Sequence, residues 1–218
     1  MLPDPDPDRP KSLADPEQVA RRRSLLEAER LHPLRRLARR IAKERSSDVP
    51  EPDPLDGGTE ARLLLLLETP GPSIGRTGFV SRDNPTGTAA NLFRFLAESG
   101  IARRHSLIWN AVPWVIHAPG ALNRAPRKAE IATAAAYLAP LIELLPSLDV
   151  VVLAGRVAGL SREPLRHLRP EMPVIAVPHP SPTYVCTSPA VAERIRAGLY
   201  EASAILLRPR PSPTQEGG

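Results

Sequence analysis

From Arg62 onward the chain alternates short apolar runs with longer stretches of helical period. Leu63–Leu67, His105–Val112, Asp149–Ala154 and Pro173–Val177 are apolar and bounded by Gly, Pro or polar residues, which predicts four buried strands. Between them Ala89, Leu92, Phe93 and Leu96 share one helical face, with Thr88 as a capping residue and Gly100 as a stop. Pro126 opens a longer helix that Pro140 kinks, and Ser188-Pro189 starts a last helix running to Leu206. The order β-α-β-α-β-α-β-α predicts an α/β fold with a mainly parallel sheet and helices on both faces.

Ahead of this region the pattern is purely helical. Asp15-Pro16 caps a helix to about Arg30, and Pro33 starts another through Arg45. In the second, Leu34, Leu37, Ala38 and Ile41 form a stripe that docks on the body. Arg35, Arg36, Arg39, Arg40 and Lys43 surround the other face, which reads either as a solvated surface or as one that tracks phosphates. Residues 1–14, where Pro and Asp recur, and 207–218, rich in Pro, Ser, Thr and Gly, lack apolar surface and are expected to be disordered tails. The organisation is therefore a tail over 1–14, a basic helical extension over 15–46, an α/β domain over 60–206 and a second tail.

Composition adds four constraints. The 218 residues suit one well-buried domain with appendages. One cysteine, Cys186, makes neither an internal disulfide nor a multi-cysteine metal site, which fits a reducing cytosol. No apolar run approaches the roughly 18 residues of a membrane helix, and the acidic, proline-broken start is unlike a secretion signal, so a cytoplasmic protein with no membrane partner is expected. The net charge of +5 favours a polyanionic partner without specifying one.

In parallel sheets ligands bind beyond the carboxyl ends of the strands. Four segments lie there: Glu68-Thr-Pro-Gly-Pro-Ser, Asn110-Ala-Val-Pro-Trp, Gly155-Arg and His179-Pro-Ser-Pro. His179 sits in a stiff proline turn that fixes the direction of its imidazole, or is simply a turn residue with a satisfied ring. Asn110 offers an amide donor and acceptor able to meet the N3–H and O4 of uracil; its plainer role is to satisfy loop backbone. Glu68 can orient water or stabilise a sugar cation, or else pair with an arginine; Asp83 is its rival for the water. Phe79, in a glycine-flanked loop, is a candidate for base stacking. Trp109 is a core residue. Tyr184 and Val185, together with Ser181 before them, are candidates to contact DNA and fill the gap left by an extruded base.

These motifs resemble, in order, those of the uracil-DNA glycosylase superfamily. Leu67-Glu-Thr-Pro-Gly-Pro-Ser is similar to its first motif and Gly75-Arg-Thr-Gly-Phe-Val-Ser to the loop whose phenylalanine stacks on uracil. Ile108-Trp-Asn-Ala-Val resembles the base-reading strand, Val151-Val-Leu-Ala-Gly-Arg-Val-Ala the next strand and turn, and His179-Pro-Ser-Pro the second catalytic motif. The resemblance covers residues from about 60 to 206 and implies a three-layer α/β/α sandwich around a four-stranded, mainly parallel sheet. It implies hydrolysis of the bond between a flipped uracil and its deoxyribose in base-excision repair, by a protein expected to be a monomer whose partner is uracil-containing DNA. Glu68 would serve water or the sugar cation, Phe79 would stack, Asn110 would read the base and His179 would hydrogen-bond uracil O2.

Three departures stand out. Leu67 replaces a frequent glycine, and Cys186 alone cannot hold the iron–sulphur cluster of four-cysteine branches, so no cofactor or metal is expected. Gly71 follows Pro70 where the strictest uracil enzymes carry a tyrosine that blocks the thymine methyl, which leaves the range of bases open. A catalytically silent DNA-binding relative is the second reading. An unrelated nucleotide or ester enzyme is the third, and the absence of Gly-x-Gly-x-x-Gly and Gly-x-x-x-x-Gly-Lys-Ser/Thr counts against a nucleotide enzyme.

Overall fold

A computed structural model describes residues 9–118, 120–121 and 123–208. In chain order the elements are α1 (Pro16–Ser24), α2 (His32–Arg45), β1 (Glu51–Pro52), β2 (Leu63–Leu67), α3 (Ile74–Thr77), β3 (Phe79–Val80) and α4 (Gly87–Glu98). They continue with β4 (Ser106–Asn110), α5 (Lys128–Ala134), α6 (Leu138–Glu143), β5 (Val150–Ala154), α7 (Arg156–Gly159), α8 (Arg162–Leu168), β6 (Val174–Val177), α9 (Pro182–Val185) and α10 (Pro189–Leu206). Strands β4-β2-β5-β6 form one parallel sheet in that order, and β1 pairs with β3 in a separate two-stranded parallel ribbon.

The leucine run of β2 is apolar throughout because both faces are covered. Leu64 and Leu66 join Trp109, Val151 and Leu153 in a core closed by α2, α5, α6 and α8. Leu63 and Leu65 join Ile108, Val152 and Ile175 under α4 and α10. The result is an α/β/α sandwich. As the sequence pattern predicts, Trp109 is core and the apolar stripe of α2 (Leu34, Leu37, Ala38, Ile41) docks on the first face. No helix among the described residues is long and apolar enough to cross a membrane.

Several local expectations need correction. The helix from Pro16 ends at Ser24, and Glu29–Leu31 forms a separate 3-10 turn before α2. The helix cap after β3 is Thr86, whose Oγ1 accepts from the Ala89 N–H at 3.1 Å, in place of Thr88. The helix expected from Pro126 starts at Lys128 and is interrupted by a 3-10 turn at Ala135–Tyr137. Pro140 supplies no N–H to the carbonyl of Ala136 and its ring crowds that oxygen, so the regular helix yields one turn upstream. The disorder expected over 1–14 and 207–218 falls mainly on residues outside the described ones. Within them, Ser12–Ala14 forms a 3-10 turn whose Leu13 is buried with Val19, Leu26, Leu31 and Phe79.

Arg35 also departs from the solvated-face reading of α2. It is buried, donates to the Leu26 carbonyl at 2.8 Å and pairs with Glu27 and Glu51. The neighbouring Arg36, Arg39, Arg40 and Lys43 are exposed.

A buried ionic cluster ties α1 to the body. Arg22 pairs with Asp53 at 2.6 Å and Asp83 at 2.8 Å, and Arg103 pairs with the same two carboxylates at 2.6 and 2.8 Å. Ser81 donates its hydroxyl to Asp53, and Arg103 lies 3.0 Å from Asp56. Burial pushes the Asp56 carboxyl up to about 7 against the pull of Arg103. Removing one partner of such a cluster strands a desolvated charge, at a cost of about 3–5 kcal/mol. Arg22→Met is accordingly expected to lower unfolding free energy in urea by about that amount, while Arg36→Met on the exposed face changes it by less than about 0.5 kcal/mol. Equal effects of the two substitutions would refute the structural role of the cluster.

Candidate active site

The parallel register brings the carboxyl ends of all four strands to one edge. Leu67 lies opposite Asn110, Leu66 opposite Leu153, and Ala154 opposite Val177, so the residues that follow each strand enter a common mouth. A cleft of about 480 Å³ opens there, lined by Glu68, Gly71, Asn110, His179, Ser181 and Tyr184 among others.

Glu68 is held from the backbone. Its Oε1 accepts the Val157 N–H at 3.0 Å, at the start of α7. Among the described residues it has no arginine partner, so the ion-pair alternative for Glu68 finds no support there. Gly155 makes this approach possible. Its φ is +101°, and a Cβ there would sit 2.5 Å from Glu68 Oε1 and 3.1 Å from His179 Cβ. A side chain at 155 would therefore be strained and would push apart the two groups that converge on it.

His179 stands two residues beyond β6. Its Nδ1 accepts the Ser181 N–H at 3.2 Å, so the neutral ring carries its proton on Nε2 and presents a donor. Burial lowers the imidazole pKa below its ordinary value, and the Glu68 charge opposes that shift only in part. The ring is neutral at neutral pH. Its centroid lies 6.3 Å from that of Tyr184, which is 57% exposed at the rim.

Asn110 ends β4 and is 4% exposed. Among the described residues its side-chain amide makes no hydrogen bond, although it lines the cleft. A nearly buried amide with both functions unspent is suited to a ligand that supplies a donor and an acceptor side by side. Below it a smaller apolar cavity of about 50 Å³ runs between Trp109, Ile131, Leu138 and Leu141. Gly71 borders the cleft with open space, since a Cβ there would meet nothing within 4 Å.

Three candidates lie elsewhere. Phe79 is 1% exposed and packs with Leu13, Val19, Leu26 and Leu31, outside the cleft. Neighbouring strand residues point to opposite faces. Pairing of β3 with β1 turns Phe79 toward the N-terminal helices and Val80 toward the cleft. Asp83 is 1% exposed and engaged by Arg22 and Arg103, so it is a member of the buried ionic cluster and is not free to activate water. Val185 packs against the second core, which leaves Tyr184 as the residue projecting from that turn.

The cleft also contains residues that the sequence did not single out. Asn84 donates to the Phe79 carbonyl at 2.8 Å and lines the wall beside Thr86 and Thr88. Asn123 reaches Thr69 at 3.0 Å and Arg124 pairs with Glu130 at 2.5 Å, both from an irregular loop with no periodic signal. The Asn84-Pro-Thr-Gly-Thr turn before α4 was the available hint for the first group. Among the described residues, no cluster of three or more His, Cys, Asp or Glu side chains is arranged to hold a metal.

Comparison with known proteins gives a family. No curated protein matches the chain. The crystal structure of mimivirus uracil-DNA glycosylase is similar at 17% identity, covering 79% of this chain and 74% of that one, with a TM-score of 0.42. The family model described as the uracil DNA glycosylase superfamily matches residues 54–210, which span every strand of the sheet and the whole cleft. The chain belongs to the uracil DNA glycosylase superfamily.

Proposed function

We propose that this protein hydrolyses the N-glycosidic bond of uracil flipped out of DNA, as the base-releasing step of excision repair. The observation that carries the reading is the convergence, in one cleft, of an unspent buried amide, an Nε2–H imidazole and a backbone-fixed carboxylate. Family membership supports glycosylase chemistry at the coarser level.

The extruded base would enter against Ile74 and Val80, with the Asn110 amide meeting the N3–H and O4 of uracil. As the C1′–N1 bond breaks, its electron pair leaves with the base, and negative charge gathers partly on O2. His179 Nε2–H donates where that charge develops, and the neutral ring does so without first losing a proton. Positive charge left on the sugar is stabilised by Glu68, which also receives and orients the water. The water oxygen bonds to C1′ as its proton passes to the Glu68 carboxylate, and that proton is then given up, by way of solvent, to the departing base anion, which leaves as the neutral base. Tyr184, exposed at the rim, would occupy the space that the base vacates in the strand.

The test is release of free base from single-stranded and duplex oligonucleotides containing uracil opposite adenine or guanine. The protein is expected to release uracil, and His179→Ala to slow release roughly a hundred- to a thousand-fold, the usual effect of deleting one such donor. Asn110→Ala should lose discrimination between uracil and cytosine as well as rate. No release by the folded protein from uracil, hypoxanthine or xanthine substrates would refute the hydrolytic reading and favour a DNA-binding relative without turnover.

Gly71 sets the second prediction. The space beside it accepts a side chain, and its φ lies outside the left-handed region. Gly71→Tyr is expected to raise the ratio of uracil to thymine release by about 10- to 200-fold, the range that one methyl group in a pocket commands. An unchanged ratio, measured on paired U·G and T·G duplexes, would show that this position does not border the base.

A further inference from the structure

A second groove of about 640 Å³ lies on the other side of α3 from the cleft. Leu13, Pro16, Val19 and Ala20 form its apolar wall, and Arg23 and Arg76 both enter it. Arg23 comes from α1 and Arg76 from α3. The Arg23 Nη2 lies 3.8 Å from where a Cβ on Gly78 would stand, which brings the guanidinium against the short segment that carries Arg76. Both arginines are exposed, and neither makes an ion pair or side-chain hydrogen bond with the described residues. This contrasts with Arg22, Arg35 and Arg103, whose charges are matched internally. Ile74 at the start of this four-residue helix, with Ser73 just before it, faces the cleft, whereas Arg76 faces the groove.

We propose that Arg23 and Arg76 form a phosphate clamp on the DNA strand that delivers its flipped nucleotide to the cleft. Two convergent guanidiniums with free donors suit the oxygens of a phosphodiester, and the apolar wall beside them accepts the adjoining sugar. The clamp rests on the glycosylase reading for its strand, and it gives the N-terminal extension a role in substrate binding through one residue of α1. The cationic outer face of α2 takes no part in it.

The experiment measures binding of a uracil-containing single-stranded oligonucleotide over a range of salt concentrations, together with steady-state base release. It compares the full-length protein, the double variant Arg23→Gln/Arg76→Gln, and Arg104→Gln/Arg166→Gln. The last pair changes net charge equally, but on the 3-10 turn before β4 and in the last turn of α8, the helix that precedes β6. Loss of two phosphate contacts should make the slope of log affinity against log salt shallower by about 1.4. It should also raise KM while kcat is kept, because such contacts serve ground and transition states alike. The control variant should keep the slope of the unmodified protein.

An unchanged slope in the Arg23/Arg76 variant, or an equal change in both variants, would overturn the clamp. Tighter DNA binding by that variant would also overturn it, in favour of the acidic start of the chain (Asp4, Asp6, Asp8) as the occupant of the groove. DNA binding without base release by the unmodified protein would instead refute the hydrolytic reading. The slope comparison needs no turnover and would still decide the clamp.

Discussion

The parallel register of β2 against β4 and β5 is the constraint on which the rest of the molecule depends. Both faces of β2 are apolar, so alternation of polarity along the strand does not fix its register. Its ends do. Arg62 closes the amino end through a 2.5 Å pair with Asp149, and Glu68 follows the carboxyl end with its oxygen on the Val157 N–H. Sliding the strand by one residue would draw a charged side chain into the sheet, at an effective cost of several kcal/mol per ion, more than one leucine regains by burial. With the register set, Glu68, Asn110 and Gly155 must emerge side by side, and His179 arrives from the next strand.

The buried ionic cluster is the second joint. It spans α1, the segment around Asp53 and Asp56, the loop after β3 and the turn before β4. β3 and that loop supply Val80, Ser81 and Asn84 to the cleft wall. The N-terminal helices are thereby coupled to the cleft through Arg22, even though none of their residues lines it. Burial pushes the carboxyls of both Asp56 and Asp83 up, a consequence of packing several acidic groups around a limited number of guanidiniums in a dry space. Asp83 owes its buried position to this joint. Its pairing partners, Arg22 and Arg103, lie far from it in sequence, so nothing local distinguishes it from a carboxylate waiting for water.

What could be read from the chain follows the same division. Strand β2 and helix α10 are legible to the residue because an uninterrupted apolar run and a Ser188-Pro189 start are local signals; Ser188 Oγ indeed accepts the Ala190 N–H. Glu68, Asn110 and His179 are legible because topology alone sends the ends of parallel strands to one mouth. Phe79 is not, because its direction is decided by pairing with Glu51-Pro52, a two-residue strand with no apolar pattern. The interruption before Pro140 and the shift of the cap from Thr88 to Thr86 are errors of a turn or less, where local propensity leaves neighbouring positions nearly equal.

Glu68 and His179 are neighbours with opposite electrostatic demands, and the way the fold meets both bears on the proposed chemistry. A protonated imidazole would be the stronger donor to a departing base, yet it would neutralise the carboxylate beside it and leave less field for a sugar cation. Burial disfavours that state, while the Ser181 N–H fixes the tautomer in which Nε2 still carries a hydrogen. The Val157 N–H holds Glu68 in place without bringing in a countercharge. Negative charge at the carboxylate and a neutral donor at the ring are thus kept apart by backbone groups, which bring no mobile charge of their own and need little reorganisation as charge develops. Gly155 is the geometric condition for this arrangement, since only a residue without a Cβ lets the carboxylate and the histidine approach the same point.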